Sequence, residues 1–287
     1  MKKISVLITL SLQSLILFAQ GDGNKVPYLT KSLAGDQVSN VEIRTSGGAI
    51  EVMGGNDATS RVEVYISGNN GNSLSKEEIQ KRLQEDYDLS INVANHIVSA
   101  VAKFKNGIHW NRNNALNISF RVFVGKEVST SLKTSGGSIS LSNLTGEENF
   151  ETSGGSLHVD GLEGKINGST SGGSIHLSNS KDDITLETSG GSIEASQSSG
   201  NIILETSGGS LKLNDLSGTI KAETSGGSIE GSAIDGELVA ETSGGSIHLF
   251  NLSCSLETST SGGQIDVAIS NPGKYIKISN SGGNIHL

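Results

Sequence analysis

The chain has one cysteine, Cys254, and only two prolines in 287 residues. A lone thiol excludes an intramolecular disulfide framework, so the fold must be held by other means. Aromatic residues make up 4% of the sequence, beside 38 glycines. That balance suits a disordered chain, but a strict alternation of apolar and polar residues through most of the sequence argues for strands. After the first twenty residues no run is apolar enough to span a bilayer. From position 134 onward there is no arginine at all. Positive charge is scarce overall, and the formal net charge is −9. An acidic chain of this kind is a poor partner for nucleic acid or for anionic lipid.

What is present begins with "MKKISVLITLSLQSLILFAQ". Lys2 and Lys3 followed by an apolar stretch and the small residue Ala19 form a secretory signal, with cleavage expected after residue 19. Loss of Lys2 and Lys3 takes the net charge from −9 to −11.

The dominant signal is internal repetition. Ser-Gly-Gly recurs at Ser135, Ser153, Ser171, Ser189, Ser207, Ser225, Ser243 and Ser261, always 18 residues apart, with a ninth copy at Ser281 and an outlier at Ser46. Eighteen residues also make five helical turns. Two adjacent glycines per repeat would cost a helix about 2 kcal/mol, however, and the Ile-x-Leu alternation has the strand period. Each repeat therefore reads as one coil of a single-stranded parallel β-helix, a right-handed β-solenoid with two strands and two turns per coil. Inward positions fall four, six, nine and thirteen residues after each Ser, as in Ile175, Leu177, Leu216 and Ile184. They should stack as apolar ladders about 4.8 Å apart.

The Ser-Gly-Gly marks one corner, where glycine is expected to supply a positive φ and to let successive backbones approach. The second corner is placed at Gly146, Gly164, Gly200, Gly218 and Gly236, with Asp182 and Cys254 as departures. Thr precedes almost every Ser-Gly-Gly, and parity points it inward, where its hydroxyl can bond other hydroxyls and the corner carbonyls. One inward column does not match the paired, exposed Thr rows of ice-binding solenoids. The chain stops in mid-strand at "SNSGGNIHL", an open edge expected to support end-to-end self-association.

Residues 20–39 read as an N-terminal leader, 40–133 as a less regular N-terminal solenoid part, and 134–287 as the regular array. Within the second part, "VEIRTSGGAIEVMGG" and "SRVEVYISG" read as strands. A short α-helix is expected over 75–87: Ser75 and Glu78 form a capping box, and Ile79, Leu83 and Tyr87 share one face. It is expected to cover the N-terminal end of the stack; the alternative is an insertion that carries a binding surface. "LSINVANHIVSAVAKF" and "LNISFRVFVG" read as further strands, separated by the polar loop "KNGIHWNRNN".

The order of a secretory signal, "VEIRTSGGAIEVMGG", a charged helix, "ISFRVFVGKEVSTSLKTSGGSISLSNLTG" and tandem strand repeats resembles a bacterial family of adhesin-like proteins built of β-strand repeats. It is also similar to the head domains of autotransporter adhesins. The resemblance covers roughly residues 40–287. It implies a parallel β-helix at the cell envelope or surface. The chain departs from it at Val124-Gly125, where many members have Val-Pro. No catalytic residues are carried over, because the family defines none.

Two outward columns are candidate sites. Two residues before the Ser stand Glu187, Glu205, Glu223 and Glu241, which could hold a row of cations such as calcium, or serve as a solvated face that opposes aggregation. Five after the Ser stand His158 and His176, candidate ligands for a transition metal, and His248 with Asp266; two ligands without a third are weak evidence for a site. No catalytic residue and no cofactor is assigned. The acids lie in columns rather than in a cluster, as a polysaccharide-cleaving enzyme would need. The expectation is an exported, non-enzymatic, adhesin-like solenoid that binds a glycan, a matrix polymer or a cell-surface polymer. The alternative is a self-associating periplasmic or envelope scaffold.

Overall fold

The computed structural model describes residues 26–69, 73–105 and 115–287. The segment read as an export signal, residues 1–19, lies outside these residues, as does nearly all of the polar loop 105–114. The strands stack as a β-solenoid of about 9 turns spaced about 18 residues apart. In the regular array strand residues pair, in parallel, with those 18 positions on, as in Thr145 with Glu163 and Thr242 with Thr260, and in the last coil with those 20 on, as in Leu256 with Ile276. No helix among the described residues is long and apolar enough to cross a membrane.

The apolar ladders form as the pattern requires. Ile175, Leu177, Ile184, Ile193, Leu211 and Leu216 are all at most 1% exposed. Ser180 and Ser198, which interrupt the column nine after the Ser, are buried too. Their hydroxyls donate to Ser178 O and Ser196 O at 2.8 Å and accept neighbouring backbone N–H groups. A further inward column runs fifteen after the Ser, through Phe150, Leu186, Leu204 and Ala222.

The corners differ from expectation. No Ser-Gly-Gly glycine adopts a left-handed φ. Close approach alone selects glycine there. A Cβ on Gly209, the second glycine, would lie 2.0 Å from the carbonyl oxygen of Gly191 in the preceding coil, whereas on Gly208 it would meet nothing nearer than 3.5 Å. Left-handed backbone is used instead at two other places in the coil. One residue eight after the Ser turns the chain, with φ from 49° at Gln197 to 65° at Gly161. Three residues later Gly164, Gly200, Gly218 and Gly236 follow at 109° to 121°, with Asp182 at 80°. Asn, Gly and Asp dominate these positions because their steric cost there is lowest.

Thr points inward beside the Ser-Gly-Gly corner, and its hydroxyl bonds backbone. Thr206 Oγ1 donates to Gly191 O at 2.8 Å and accepts from Gly209 N at 3.3 Å. The same pair of bonds recurs in seven successive coils from Thr152 to Thr260. Each hydroxyl thus ties one corner to the corner beneath it.

The N-terminal part is stacked out of chain order. Part of the leader is a strand, β1 (Leu29–Ser32). The first Thr-Ser-Gly-Gly joins β2 (Asn40–Thr45) to β3 (Ile50–Gly55). The chain then leaves through β4 (Arg61–Gly68), α1 (Lys76–Asp86), β5 (Tyr87–Ala94), β6 (Ile97–Phe104) and β7 (Leu116–Gly125). It rejoins the array at β8 (Ser129–Thr134) and β9 (Ile139–Ser142). β2 is flanked in parallel by β6 and β8, and β3 by β7 and β9. Beyond them the pairing turns antiparallel, β5 on β6, β4 on β7 and β1 on β4. The sequence reading missed the β5–β6 hairpin. Its two-residue turn, Asn95-His96, has φ of 53° and 63°, as the right-handed twist of a hairpin favours.

Helix α1 forms where expected. The Ser75 side chain accepts from Glu78 N, and Ile79 and the C-capping Tyr87 are buried. The helix packs on β5. The Tyr87 hydroxyl accepts from Leu116 N at 2.8 Å, fastening the end of the helix to β7.

Candidate functional site

Residues immediately before the Ser-Gly-Gly corner alternate outward, inward, outward. The column two before the Ser and the Ser column itself therefore stand up on either side of the inward Thr. The result is a groove of about 640 Å³ that runs across six coils, from Ser169 and Ser171 to Ser259 and Ser261. At about 4.8 Å per coil its length is about 24 Å. One wall carries Glu187, Glu205, Glu223 and Glu241, the other Ser189, Ser207, Ser225 and Ser243, and the Thr column forms the floor. It can accept and donate hydrogen bonds along its length at the fixed coil spacing.

The four glutamates are not an uncompensated row. Lys221 projects beside them, with Nζ 2.9 Å from Glu223 Oε1 and 3.4 Å from Glu205 Oε1. The Glu223 carboxylate, with Glu205 adding to it, holds the Lys221 ammonium above the usual lysine range. At the near end Lys133 pairs with Glu151 at 2.7 Å. Sequence reasoning placed the Glu column correctly on the outer surface and missed Lys221, which lies two residues before Glu223 on the same side of its strand.

The column five after the Ser forms a mixed ladder. The His158 and His176 rings stack with centroids 5.1 Å apart and planes 3° from parallel. Burial and then the neighbouring His176 lower the His158 pKa, so its neutral form is favoured. His176 Nδ1 lies 3.6 Å from Glu194, which pairs with Lys212 at 3.2 Å. His248 Nδ1 lies 2.9 Å from Asp266. Among the described residues no three His, Cys, Asp or Glu side chains come together as a metal site would need.

Among the described residues, a thiol and a carboxyl lie inside the stack. Cys254 is buried and free, and burial pushes its thiol up to about 11. Glu148 occupies the column that Ile166, Ile184 and Ile202 fill in later coils, and it is 0% exposed. Thr130 Oγ1 donates to its Oε2 at 2.5 Å, while Oε1 has no protein partner. Burial raises the carboxyl to about 7, against the opposing pull of the Thr130 hydroxyl and backbone. The sequence signal was available: a Glu at an inward position of an otherwise apolar ladder.

No family model matches the sequence, and no curated protein matches it. Among solved structures the chain is similar to a candidate adhesin from Bacteroides fragilis NCTC 9343, at 13% identity and TM-score 0.40, over 90% of this chain and 95% of that one. A candidate adhesin from Parabacteroides merdae ATCC 43184 aligns at 14% identity and TM-score 0.36 over 90% and 95%. A candidate cell adhesion protein from Clostridium sporogenes ATCC 15579 aligns at 11% and 0.24 over 90% and 96%. These identities and TM-scores are too low to carry a residue, a ligand or an activity across.

Proposed function

We propose that this chain is an exported, non-enzymatic binding module of adhesin-like type, and that its groove receives an extended polymer at the cell surface. The groove itself carries the reading. It is long, straight, lined by hydroxyls and carboxylates, and repeats every coil, so it suits a linear glycan or matrix chain better than a compact metabolite. Its lining argues against hydrolysis. The carboxyl held near neutrality, Glu148, is sealed in the core, and the acids of the groove are spaced as a ladder rather than paired across a bond. The positive n-region and apolar stretch of residues 1–19 support export.

Retention of the purified chain on immobilised chitin, cellulose, mannan, hyaluronan and collagen tests the reading, with protease treatment of intact cells reporting exposure. Retention on at least one polymer and cleavage on intact cells are expected. No retention on any of them, with self-association as protein concentration rises, would replace this reading with the envelope scaffold.

A further inference from the structure

The short strand that follows each Ser-Gly-Gly presents an outer face of its own, made of the side chains five and seven after the Ser. In six successive coils the second of these is Ser, Asp or Asn; in the seventh it is Phe250. The ring is 50% exposed, whereas the apolar side chains four and six after each Ser from Ile139 to Val267, on the other face of the same strands, are buried. Phe250 pairs in register with Ser232 and walls a recess of about 350 Å³ with Glu230, Asn214, Lys212 and Glu194. A single exposed Phe is ordinary. An aromatic ring bordering a recess set with unspent polar groups is not.

Those polar groups are specific. Ser232 Oγ donates to Asn214 Oδ1 at 2.7 Å, which leaves the two Nδ2 hydrogens of Asn214 free. Lys212 uses one direction of its ammonium on Glu194. Glu230, directly between Lys212 and His248 in its column, makes neither an ion pair nor a side-chain hydrogen bond. Beside the ring there are thus free donors and a free acceptor on one rigid sheet face. A pyranose ring has the matching chemistry: a face of axial C–H groups, slightly positive, for the negative face of an aromatic ring, and a rim of hydroxyls that both donate and accept. Anionic sugars would meet Glu230 and Glu194.

We infer that Phe250, Glu230 and Asn214 form a saccharide subsite for a neutral, equatorially substituted pyranose such as a β-glucoside. The inference rests on the binding-module reading only in taking saccharide as the ligand class; the subsite lies on a different face from the groove.

Saturation-transfer difference NMR on the full mature chain, with methyl β-D-glucopyranoside at about ten millimolar, tests it, since one stacked ring binds in roughly the millimolar range. The expected result is transfer to the axial ring protons, none to the open-chain polyol sorbitol, about tenfold weaker binding in Phe250→Ala, and retention in Phe250→Trp. Absence of transfer to the glucoside in the wild type, or transfer unchanged in Phe250→Ala, overturns the subsite. Polymer retention persisting in Phe250→Ala would leave the groove reading intact, so the two fail separately.

Discussion

Glu148→Gln should remove most of a pH-dependent weakness from the stack. Glu148 is fully buried, its Oε1 has no protein partner, and its pKa rises from 4.5 to about 7 on folding. The folded state therefore holds this proton more tightly than the unfolded chain does. Below pH 4.5 both states are protonated and nothing is lost. As pH rises through the window from 4.5 to 7 the unfolded chain releases the proton first, and stability falls by about 3 kcal/mol, remaining at that deficit above pH 7. Gln keeps an acceptor for Thr130 Oγ1 and carries no charge. Urea unfolding followed by circular dichroism, at pH 5 and pH 8, compares the two chains so that groups common to both cancel. The wild type should lose about 2.5 kcal/mol more than Glu148→Gln between those pH values, because part of the full shift is already lost at pH 5. A difference below about 1 kcal/mol, or one of opposite sign, would refute the argument. So would a carboxyl ¹³C titration of Glu148 near the ordinary glutamate value.

Three other outcomes follow from the corners and the core. Gly209→Ala places its Cβ 2.0 Å from a backbone oxygen and should cost about 3 kcal/mol or more, while Gly208→Ala should stay within about 1 kcal/mol; thermal melts of the pair decide it. Thr206→Val strips the hydroxyl that joins Gly191 O to Gly209 N and should destabilise by about 1–3 kcal/mol, with Thr206→Ser recovering part of the loss in the same assay. Cys254 should resist a thiol reagent at pH 8 in the folded chain and react at once in urea, because burial both covers it and raises its pKa to about 11.

The solenoid was legible because period and parity are properties of sequence alone. An 18-residue step with apolar residues at fixed offsets allows only one set of inward ladders, and the helix announced itself through Ser75, Glu78 and Ile79. Its corners were less legible. A Gly-Gly pair does not say whether it is needed for φ or for space; only the 2.0 Å approach of Gly191 O to a Cβ on Gly209 decides for space. The left-handed turn eight after the Ser is filled by Asn143, Gln197, Asp215 and Ala233, too varied a set to read as one corner. The stacking order near the N-terminus was hidden because strand partners separated by 50 or more residues leave no local trace, as with Val41 and Val98.

At the candidate sites, parity correctly assigned the Glu and His columns to the surface, since side-chain direction alternates along a strand. It could not show that the Glu and Ser columns enclose a groove, which depends on how sharply the chain bends between them. Nor could it show that Lys221 reaches both Glu205 and Glu223, a contact that depends on rotamers across neighbouring coils.

The most direct measurement is polymer retention by a chain whose groove has been filled, with Ser189, Ser207 and Ser225 each changed to Trp. These hydroxyls face outward, so the stack should fold unchanged by circular dichroism. If the groove is the binding surface, the filled chain will pass through the polymer that retains the wild type. Equal retention of the two chains would contradict the assignment and move binding to another face.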